Sequence, residues 1–122
     1  ATEAAAFLPK LVPCLPGPVR DIAAGGRHSA VIIGRDMLLL AGSNASGQLG
    51  HPIAESPRCF CFHGFPESPR GGGVRSVALG YDHTLVLTFT GEVYACGRNA
   101  EAQCGMAAGP CVEAPTLVPL PP

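Results

Sequence analysis

The fold of this chain is decided by residues 74–105, VRSVALGYDHTLVLTFTGEVYACGRNAEAQCG. Three short runs rich in valine, leucine, threonine and tyrosine are separated by glycine. Such runs favour strands because branched and aromatic side chains pack well on a pleated surface. Gly80 separates the first run from the second, Gly91 supplies the positive φ that a tight hairpin requires, and Gly97 ends the third. The stretch predicts an antiparallel meander of three strands, which is too small to be stable alone.

An earlier stretch repeats this pattern. Residues 19–50, VRDIAAGGRHSAVIIGRDMLLLAGSNASGQLG, align with residues 74–105 without a gap when they are shifted by 55 positions. The eleven identities in 32 aligned positions are Val19/Val74, Arg20/Arg75, Ala23/Ala78, Gly25/Gly80, His28/His83, Val31/Val86, Gly42/Gly97, Asn44/Asn99, Ala45/Ala100, Gln48/Gln103 and Gly50/Gly105. A strand-built repeat of this length indicates a propeller blade or a solenoid unit.

The composition is unusually apolar for a small domain. Charged residues make up 14% of the 122 residues, well below the roughly 25% of a typical soluble domain. A small domain buries a smaller fraction of its surface than a large one, so it should be more polar rather than less. We therefore expect this chain, which begins with Ala1 rather than methionine, to be cut or excerpted from something larger.

Charge and hydropathy exclude several classes of protein. The net charge is −1 and the eight lysines and arginines are scattered, so the basic patch of a nucleic-acid binder is missing. No apolar run approaches the roughly 20 residues of a membrane span. Prolines interrupt the apolar N-terminal stretch and no basic region precedes it, so we expect no secretory signal.

The sequence predicts that the cysteines are buried apolar residues. Six cysteines could form three disulfide bridges, as in an exported protein. However, Cys96 aligns with Ala41 of the first copy and Cys104 aligns with Leu49. Small apolar positions suit a free cysteine, so we expect reduced thiols and an intracellular protein, cytoplasmic or nuclear.

Proline-containing segments mark the boundaries of the copies. Pro9–Pro13 (PKLVP) resembles Pro115–Pro119 (PTLVP), and a weaker copy is Pro57–Cys61. Proline excludes helix and is tolerated on edge strands, so each segment predicts an edge strand next to a meander. The predicted division is a lead at 1–6, a first repeat at 7–56, a second repeat at 57–114 with an insertion at 62–73, and the first strand of a following repeat at 115–122.

The combined pattern resembles the regulator of chromosome condensation repeat. Its signature, GxxH followed by Ser or Thr, two strands and then GxNxxxQxG, covers residues 25–29 with 42–50 and residues 80–84 with 97–105. The resemblance implies an all-β fold of two antiparallel blades of a propeller that usually has seven four-stranded blades. Two blades cannot close a ring, so further blades from the same or other chains are expected, since closure removes exposed strand edges.

Two features depart from the family pattern. Ala41 and Cys96 stand where the family has an aromatic residue before the third-strand glycine. Ala102 stands in the second copy where glycine is usual. Both copies are therefore divergent blades.

The repeated polar residues and glycines are interpreted as blade architecture rather than chemistry. A residue that recurs at one offset in each copy belongs to the scaffold, and a buried imidazole needs a hydrogen-bond partner; we expect a backbone group of a neighbouring turn. Asparagine bonds loop backbone in turns. The predicted structural set is Gly25, His28, Gly42, Asn44, Gln48, Gly50, Gly80, His83, Gly97, Asn99, Gln103 and Gly105.

One cluster could hold a metal. Cys59, Cys61 and His63 alternate along a predicted strand and share one face, and zinc accepts thiolate and imidazole ligands. Neighbouring ligands on a flat strand are too collinear for tetrahedral closure, so strand packing is the preferred interpretation. Ser29 beside His28, or Asp82 beside His83, would point to opposite faces of a strand. We predict no catalytic, cofactor or metal residues.

Two functions follow from the resemblance. The first is a non-enzymatic scaffold for protein–protein interaction, with loops on one propeller face binding a protein of unknown identity. The alternative is guanine-nucleotide exchange on a small GTPase, which would need a loop wedge and acidic contacts that the sequence does not show. Near-neutral charge disfavours chromatin or other nucleic acid as a partner, and no membrane partner is expected.

Overall fold

The structure is a computed structural model that describes residues 15, 17–50, 53, 59–63 and 73–119, with only the backbone described for 59–63. These residues form two antiparallel sheets of four strands, in the orders β1-β2-β3-β4 and β5-β6-β7-β8. The predicted all-β fold and both three-stranded meanders are confirmed. The strands are β1 Val19–Ala24, β2 His28–Ile33, β3 Met37–Gly42, β4 Cys59–His63, β5 Val74–Leu79, β6 His83–Thr88, β7 Val93–Gly97 and β8 Val112–Leu117.

The fourth strand of each sheet follows its meander rather than preceding it. β4 pairs with β3 through Met37↔His63 to Ala41↔Cys59, and β8 pairs with β7. The ladder to β3 continues through Phe62 and His63, so β4 extends two residues into the segment 62–73 that the sequence predicts as an insertion. The strands of the first sheet lie between residues 19 and 63, and those of the second lie between residues 74 and 117. The predicted repeats, 7–56 and 57–114, were bounded by the sequence pattern and do not coincide with the sheets. The predicted edge strand Pro9–Pro13 lies outside the described residues.

The third strand of the second sheet begins at Val93, directly after a four-residue turn at 89–92. Glu92 belongs to the turn, because its carbonyl accepts the N–H of Thr88 at 2.9 Å and its own N–H donates to Thr88 Oγ1 at 3.1 Å. Gly91 has φ +87°, which is the left-handed conformation predicted for this turn. In the first sheet the equivalent turn is shorter, and Gly34 takes the positive φ, +60°.

The main hydrophobic core lies between the two sheets. The second sheet contributes Val74, Val86 and Tyr94, and β2, β3 and the loop after β3 contribute the remainder: Ala30, Ile32, Leu38, Leu40 and Leu49. A smaller core of Ala95, Cys104 and Val118 lies within the second sheet and its loops. Because the main core draws on both sheets, neither sheet buries its apolar side chains alone.

The two sides of β6 have unequal surroundings. Thr84, Val86 and Thr88 are buried, and Thr84 and Val86 contact the first sheet, whereas the alternating His83, Leu85 and Leu87 are only partly buried. Alternate residues of a strand point to opposite faces. The more apolar side of β6 is therefore the side that faces away from the first sheet.

Both sheets carry the same irregularity in their first strand. The register between β1 and β2 shifts between Val19 and Asp21, and the register between β5 and β6 shifts between Val74 and Ser76. The residues at the shifts are Arg20 and Arg75. A bulge of this kind re-aims a side chain, so both arginines leave the regular pleat at the same point of the repeat.

Positive φ angles recur at matching positions of the two copies. Gly42 and Gly97 end the third strands with φ +117° and +113°, and a Cβ at either would collide with the backbone of the preceding turn. Gly47 has φ +78°, and its counterpart Ala102 has φ +61°. Among the described residues, Ala102 is the one non-glycine residue with a positive φ. A side chain in this left-handed backbone conformation costs roughly 1–2 kcal/mol.

Ala102→Gly is therefore expected to raise the free energy of unfolding by about 0.5–1 kcal/mol. The substitution relieves the left-handed strain of alanine, and the greater freedom of glycine in the unfolded chain offsets part of that gain. Denaturant unfolding measures the change. Gly47→Ala is the matched control and should lower stability by at least about 1 kcal/mol, since its Cβ would also lie 3.0 Å from the Glu113 Cα. Equal stability of all three proteins would contradict the assignment.

Candidate functional site

The loops that carry the repeated residues meet at one end of the two sheets, here called the turn end. It comprises the β1–β2 and β5–β6 turns, residues 25–27 and 80–82, and the loops 43–50 and 98–105. The opposite end, called the hairpin end, comprises residues 34–36 and 89–92. Most of the sequence-predicted structural residues lie at the turn end, divided between the two sheets.

The asparagines and glutamines organise the loops in the same way in both copies. Asn44 Oδ1 accepts the N–H of Leu49 at 2.9 Å, and Asn99 Oδ1 accepts the N–H of Cys104 at 3.1 Å. Asparagine at the same position of each repeat thus makes the same loop contact in both copies. Likewise, the Gln48 side-chain oxygen accepts the N–H of Ser46, and that of Gln103 accepts the N–H of Glu101, both at 2.8 Å.

His28 connects the two sheets. Its side chain is buried, with 3% exposed, and its Nε2 lies 2.7 Å from the hydroxyl of Thr84 in the second sheet. That hydroxyl donates to the backbone carbonyl of Gln48 at 2.7 Å, so it accepts from the imidazole and His28 carries its proton on Nε2. The sequence predicted a backbone partner in a neighbouring turn, whereas this partner is a threonine side chain 56 positions away.

Burial keeps His28 neutral. Removal from water lowers the pKa of His28, and this effect exceeds the opposing influence of the His83 backbone and the Asp82 carboxylate. A neutral imidazole suits the single hydrogen bond to Thr84 and would make a poor electrostatic anchor. The pKa shift therefore fits an architectural group at the junction.

His83 occupies the same position in the second sheet but a different environment. It is partly exposed, and the hydroxyl that His28 uses has no counterpart among the described residues on that side. A Cβ at Gly80 would overlap the His83 imidazole, so the ring lies directly against its own turn.

An exposed group covers the junction at the turn end. The Arg27 guanidinium lies over the Tyr81 ring, 5.2 Å from its centroid, and Arg27 Nε lies 4.0 Å from Asp82 Oδ1. Gln48 Nε2 donates to the same carboxylate oxygen at 3.5 Å. Tyr81 is 62% exposed. The sequence did not single out Tyr81 or Arg27, because neither residue recurs between the copies.

The hairpin end has its own arginine–aromatic group. Arg20 and Arg35 lie over the Phe89 ring, 5.3 and 4.7 Å from its centroid. Arg20 also donates to the carbonyls of Gly34, Arg75 and Val74, so it bonds from the first sheet to the second. This end is therefore held together largely by contacts within the protein.

The two buried cysteines of the described chain are poor nucleophiles. Cys96 and Cys104 are buried, as their alignment with apolar residues predicted. Burial raises the pKa of Cys96 to about 12 and also raises that of Cys104. The Cys96 thiol donates to the Gln48 carbonyl at 3.5 Å. Both groups are therefore thiols rather than thiolates at neutral pH.

Metal binding finds no support in the described part of the chain. No group of three or more histidine, cysteine, aspartate or glutamate residues there could hold an ion. The side chains of Cys59, Cys61 and His63 lie outside the described residues, so the zinc alternative stays untested. No helix in the described part of the chain has the length and apolar character that crossing a bilayer requires.

Comparison with known proteins places this geometry in a family. The pattern described as "Regulator of chromosome condensation (RCC1) repeat" matches residues 74–103. The chain carries repeats of this family. The first copy, residues 19–50, shares the turn, loop and strand arrangement of the matched copy, so the two sheets are two RCC1 blades.

A curated relative and two solved structures support this assignment. The secretion-regulating guanine nucleotide exchange factor of Mus musculus is 38% identical over 106 residues, which are 85% of this chain and 22% of the relative. The crystal structure of human WBSCR16 is 32% identical with a TM-score of 0.71, covering 81% of this chain and 25% of that one. Prp20p from Saccharomyces cerevisiae has a TM-score of 0.71 at 22% identity, over 90% and 27% of the two chains.

These figures define how much of a propeller the chain represents. It spans about a fifth of the curated relative and about a quarter of each solved chain. The fold is that of adjacent RCC1 propeller blades, and it is partial with respect to those structures.

Removing the hydroxyl that joins the blades should destabilise the protein. Thr84→Val keeps the shape but leaves the His28 imidazole without its 2.7 Å partner, and an unsatisfied buried polar group costs about 1–3 kcal/mol. His28→Ala should cost a similar amount. Ser29→Ala is the matched control, because Ser29 occupies the position of Thr84 in the first blade and is exposed; it should change stability by less than about 0.5 kcal/mol. Equal effects of Thr84→Val and Ser29→Ala would refute the role of the junction hydroxyl.

The lowered pKa of His28 also predicts an acid dependence of stability. The unfolded chain binds a proton to this histidine near its ordinary pKa of 6.5, and the folded chain binds it only at lower pH. The unfolded state therefore holds more protons below about pH 6.5. The contribution of His28 to the free energy of unfolding is complete above that pH and is lost as the pH falls. Denaturant unfolding between about pH 7.5 and about pH 5 should show a smaller loss for His28→Gln than for the unmodified protein; equal losses would contradict the assignment.

Proposed function

We propose that this chain contributes two blades to a propeller that acts as a protein-binding scaffold, and that its turn end meets the partner. The observation that carries the proposal is the exposed aromatic–arginine group at that end. Tyr81 is 62% exposed with Arg27 stacked on it. Tyrosine and arginine are the residue types enriched at the centres of protein interfaces.

The turn end is favoured over the hairpin end for two reasons. First, its loops 43–50 and 98–105 are longer than the hairpin turns, and loops on a rigid scaffold commonly carry binding function. Second, Arg20 at the hairpin end donates to three backbone carbonyls of the protein. At the turn end, Arg98 and Glu101 pair with each other at 3.1 Å and remain exposed, which leaves mixed charges around Tyr81.

The partner proposed is a small GTPase. The mouse relative is named a guanine nucleotide exchange factor, and the solved structure of Prp20p is described with binding properties to Gsp1p and histones. Nucleotide exchange is therefore the second candidate function, and the relative's name supports it as well as it supports plain binding. Neither function makes or breaks a covalent bond in this protein. We place the protein inside the cell, where small GTPases act.

Thermodynamic linkage separates the two candidates. A protein that weakens nucleotide affinity must bind the nucleotide-free GTPase more tightly than the GDP-bound form, by the same factor. A scaffold has no such requirement. The affinity of the protein for Gsp1p should therefore be measured with and without GDP, together with the release rate of a fluorescent GDP analogue. Preference for the nucleotide-free form with faster release supports exchange, and equal affinities with unchanged release support a scaffold.

Tyr81→Ala is expected to weaken binding about 10- to 100-fold, the range for a central aromatic at an interface. Phe89→Ala is the matched control, because Phe89 is also an exposed aromatic beside arginine but lies at the hairpin end. It should leave the affinity unchanged. Loss of binding on Phe89→Ala alone would move the interface to the hairpin end. Failure of Gsp1p and of other small GTPases to bind at any nucleotide state would overturn the choice of partner.

A further inference from the structure

Two arginines lie over one aromatic ring at the hairpin end. The guanidinium carbons of Arg35 and Arg20 are 4.7 and 5.3 Å from the centroid of the Phe89 ring. Phe89 is 42% exposed, so this group lies at the surface. The arginines come from the first blade and the ring from the second, so the group lies on the junction of the two described blades rather than on an outer face of either.

Backbone hydrogen bonds across the junction hold this group in place. The N–H of Val74 donates to the Arg35 carbonyl at 2.8 Å, and the N–H of Phe89 donates to the Gly73 carbonyl at 3.1 Å. Gly73 packs against both side chains, since a Cβ there would lie 2.8 Å from the Phe89 ring and 2.9 Å from Arg35 Cγ. The ring and the base of the Arg35 side chain are therefore fixed by contacts within the protein.

The two guanidinium groups differ in their hydrogen bonds. Arg20 donates from all three of its nitrogens to backbone carbonyls, so it supplies a fixed positive charge. Among the described residues, the Arg35 guanidinium has the Phe89 ring as its partner and donates no hydrogen bond. A contact with a ring face uses the positive charge and leaves the five N–H donors available. Arg35 can therefore donate to a bound group.

The charges at this ring favour an anion. Two positive charges placed at one ring repel each other, and the ring attracts each of them only modestly. No ion pair in the described part of the chain joins either guanidinium to a carboxylate, although Asp36 follows Arg35 in the sequence. An anion that carries more than one charge would therefore be stabilised at this point.

We propose that this group binds a phosphorylated side chain in a segment of a partner protein. A phosphate carries a charge of about −1.5 to −2 at neutral pH and has three strong acceptor oxygens. Arg35 binds two of these oxygens through its planar fork of N–H groups, and Arg20 adds the second positive charge. The exposed Phe89 ring contacts an apolar side chain next to the phosphate. A carboxylate has a smaller charge, so it is the weaker ligand.

The charge of the whole chain favours an isolated phosphate over a nucleic-acid backbone. The eight lysines and arginines are scattered and the net charge is −1, whereas a nucleic-acid binder requires a continuous basic surface. The group at the hairpin end supplies positive charge at one point only. It therefore fits one phosphate group on a protein segment.

The residues that would contact the ligand do not recur between the repeats. Thr90 aligns with Arg35, and Gly34 aligns with Phe89. Arg20, which bonds to the second blade, does recur as Arg75. The junction contact is thus shared by the two copies, whereas the free donors and the exposed ring belong to this junction.

Fluorescence anisotropy with labelled peptides tests the proposal in the protein. The probe is a short neutral peptide with one phosphoserine between leucines, and its matched forms carry serine or glutamate at the same position. The phosphoserine form should bind at least about 10-fold more tightly than the other two. Inorganic phosphate and a short oligothymidine are the competitors, and each should displace the peptide only at concentrations far above that of the peptide.

Three variants assign the binding to Arg35. Arg35→Gln should weaken phosphopeptide binding about 10- to 100-fold, because charge-assisted hydrogen bonds are lost. Arg35→Lys keeps the charge without the planar fork, so its affinity should be intermediate. Arg98→Gln is the matched control, because it removes the same charge from an exposed arginine at the turn end, and it should leave the affinity unchanged. The unfolding transition of each variant should match that of the unmodified protein, since both arginines are exposed.

Two further variants separate this site from the proposed GTPase surface. Phe89→Ala should weaken phosphopeptide binding and leave the affinity for Gsp1p unchanged, and Tyr81→Ala should do the reverse. The phosphopeptide measurements stand whether or not a GTPase binds, so the two proposals fail separately.

Four results would contradict the phosphate site. Equal binding of the three peptides would show that the phosphate is not recognised, and full affinity of Arg35→Gln would place the contact elsewhere. An equal loss on Arg98→Gln would show a response to net charge alone. Displacement by oligothymidine or inorganic phosphate at the concentration of the peptide would assign the site to nucleic acid or to the free anion instead.

Discussion

The rest of the structure depends on one constraint: each blade has two faces that need a neighbour. The main core draws side chains from both sheets, and a fully buried threonine hydroxyl fixes how they align by accepting from His28 and donating to the Gln48 carbonyl. Unpaired, each of these groups would cost about 1–3 kcal/mol. Apolar contact alone would permit one sheet to slide over the other, whereas these two linked hydrogen bonds permit one alignment. Burial also lowers the pKa of His28, so the imidazole is neutral in this contact.

The two copies diverge where they face each other, and this divergence has a physical reason. Positions that do the same work in each blade keep the same residue, as the loop-organising Asn44 and Asn99 do. Positions that meet across the junction instead differ in a complementary way: glycine with tyrosine at 26 and 81, arginine with aspartate at 27 and 82. Identical residues at these positions would collide or repel. An alignment of the copies therefore shows such positions as mismatches, although they are paired in space.

The sequence was sufficient for features that are local. Strand positions, the positive φ of Gly91 and the burial of Cys96 and Cys104 followed from alternation, turn chemistry and repeat alignment. It was insufficient where distant segments meet. The fourth strand of the first sheet starts 17 positions after β3 ends, at Cys59 against Gly42, and no local pattern says which meander it joins. The partner of His28 lies 56 positions away, so a rule for isolated turns suggested a backbone group instead.

The division between repeated and unrepeated residues also separates structure from recognition. Arg20, His28 and Gln48 recur because every blade must hold a neighbour, so they carry no information about which protein is bound. Tyr81 and Arg27 do not recur, and they are the residues that the fold presents at the turn end. A partner that touched only recurring residues would meet every blade equally. Specific recognition by a propeller must therefore come from residues that do not recur between the repeats. The recurring motif identifies the fold of this chain, whereas the non-recurring Tyr81 marks its proposed binding surface.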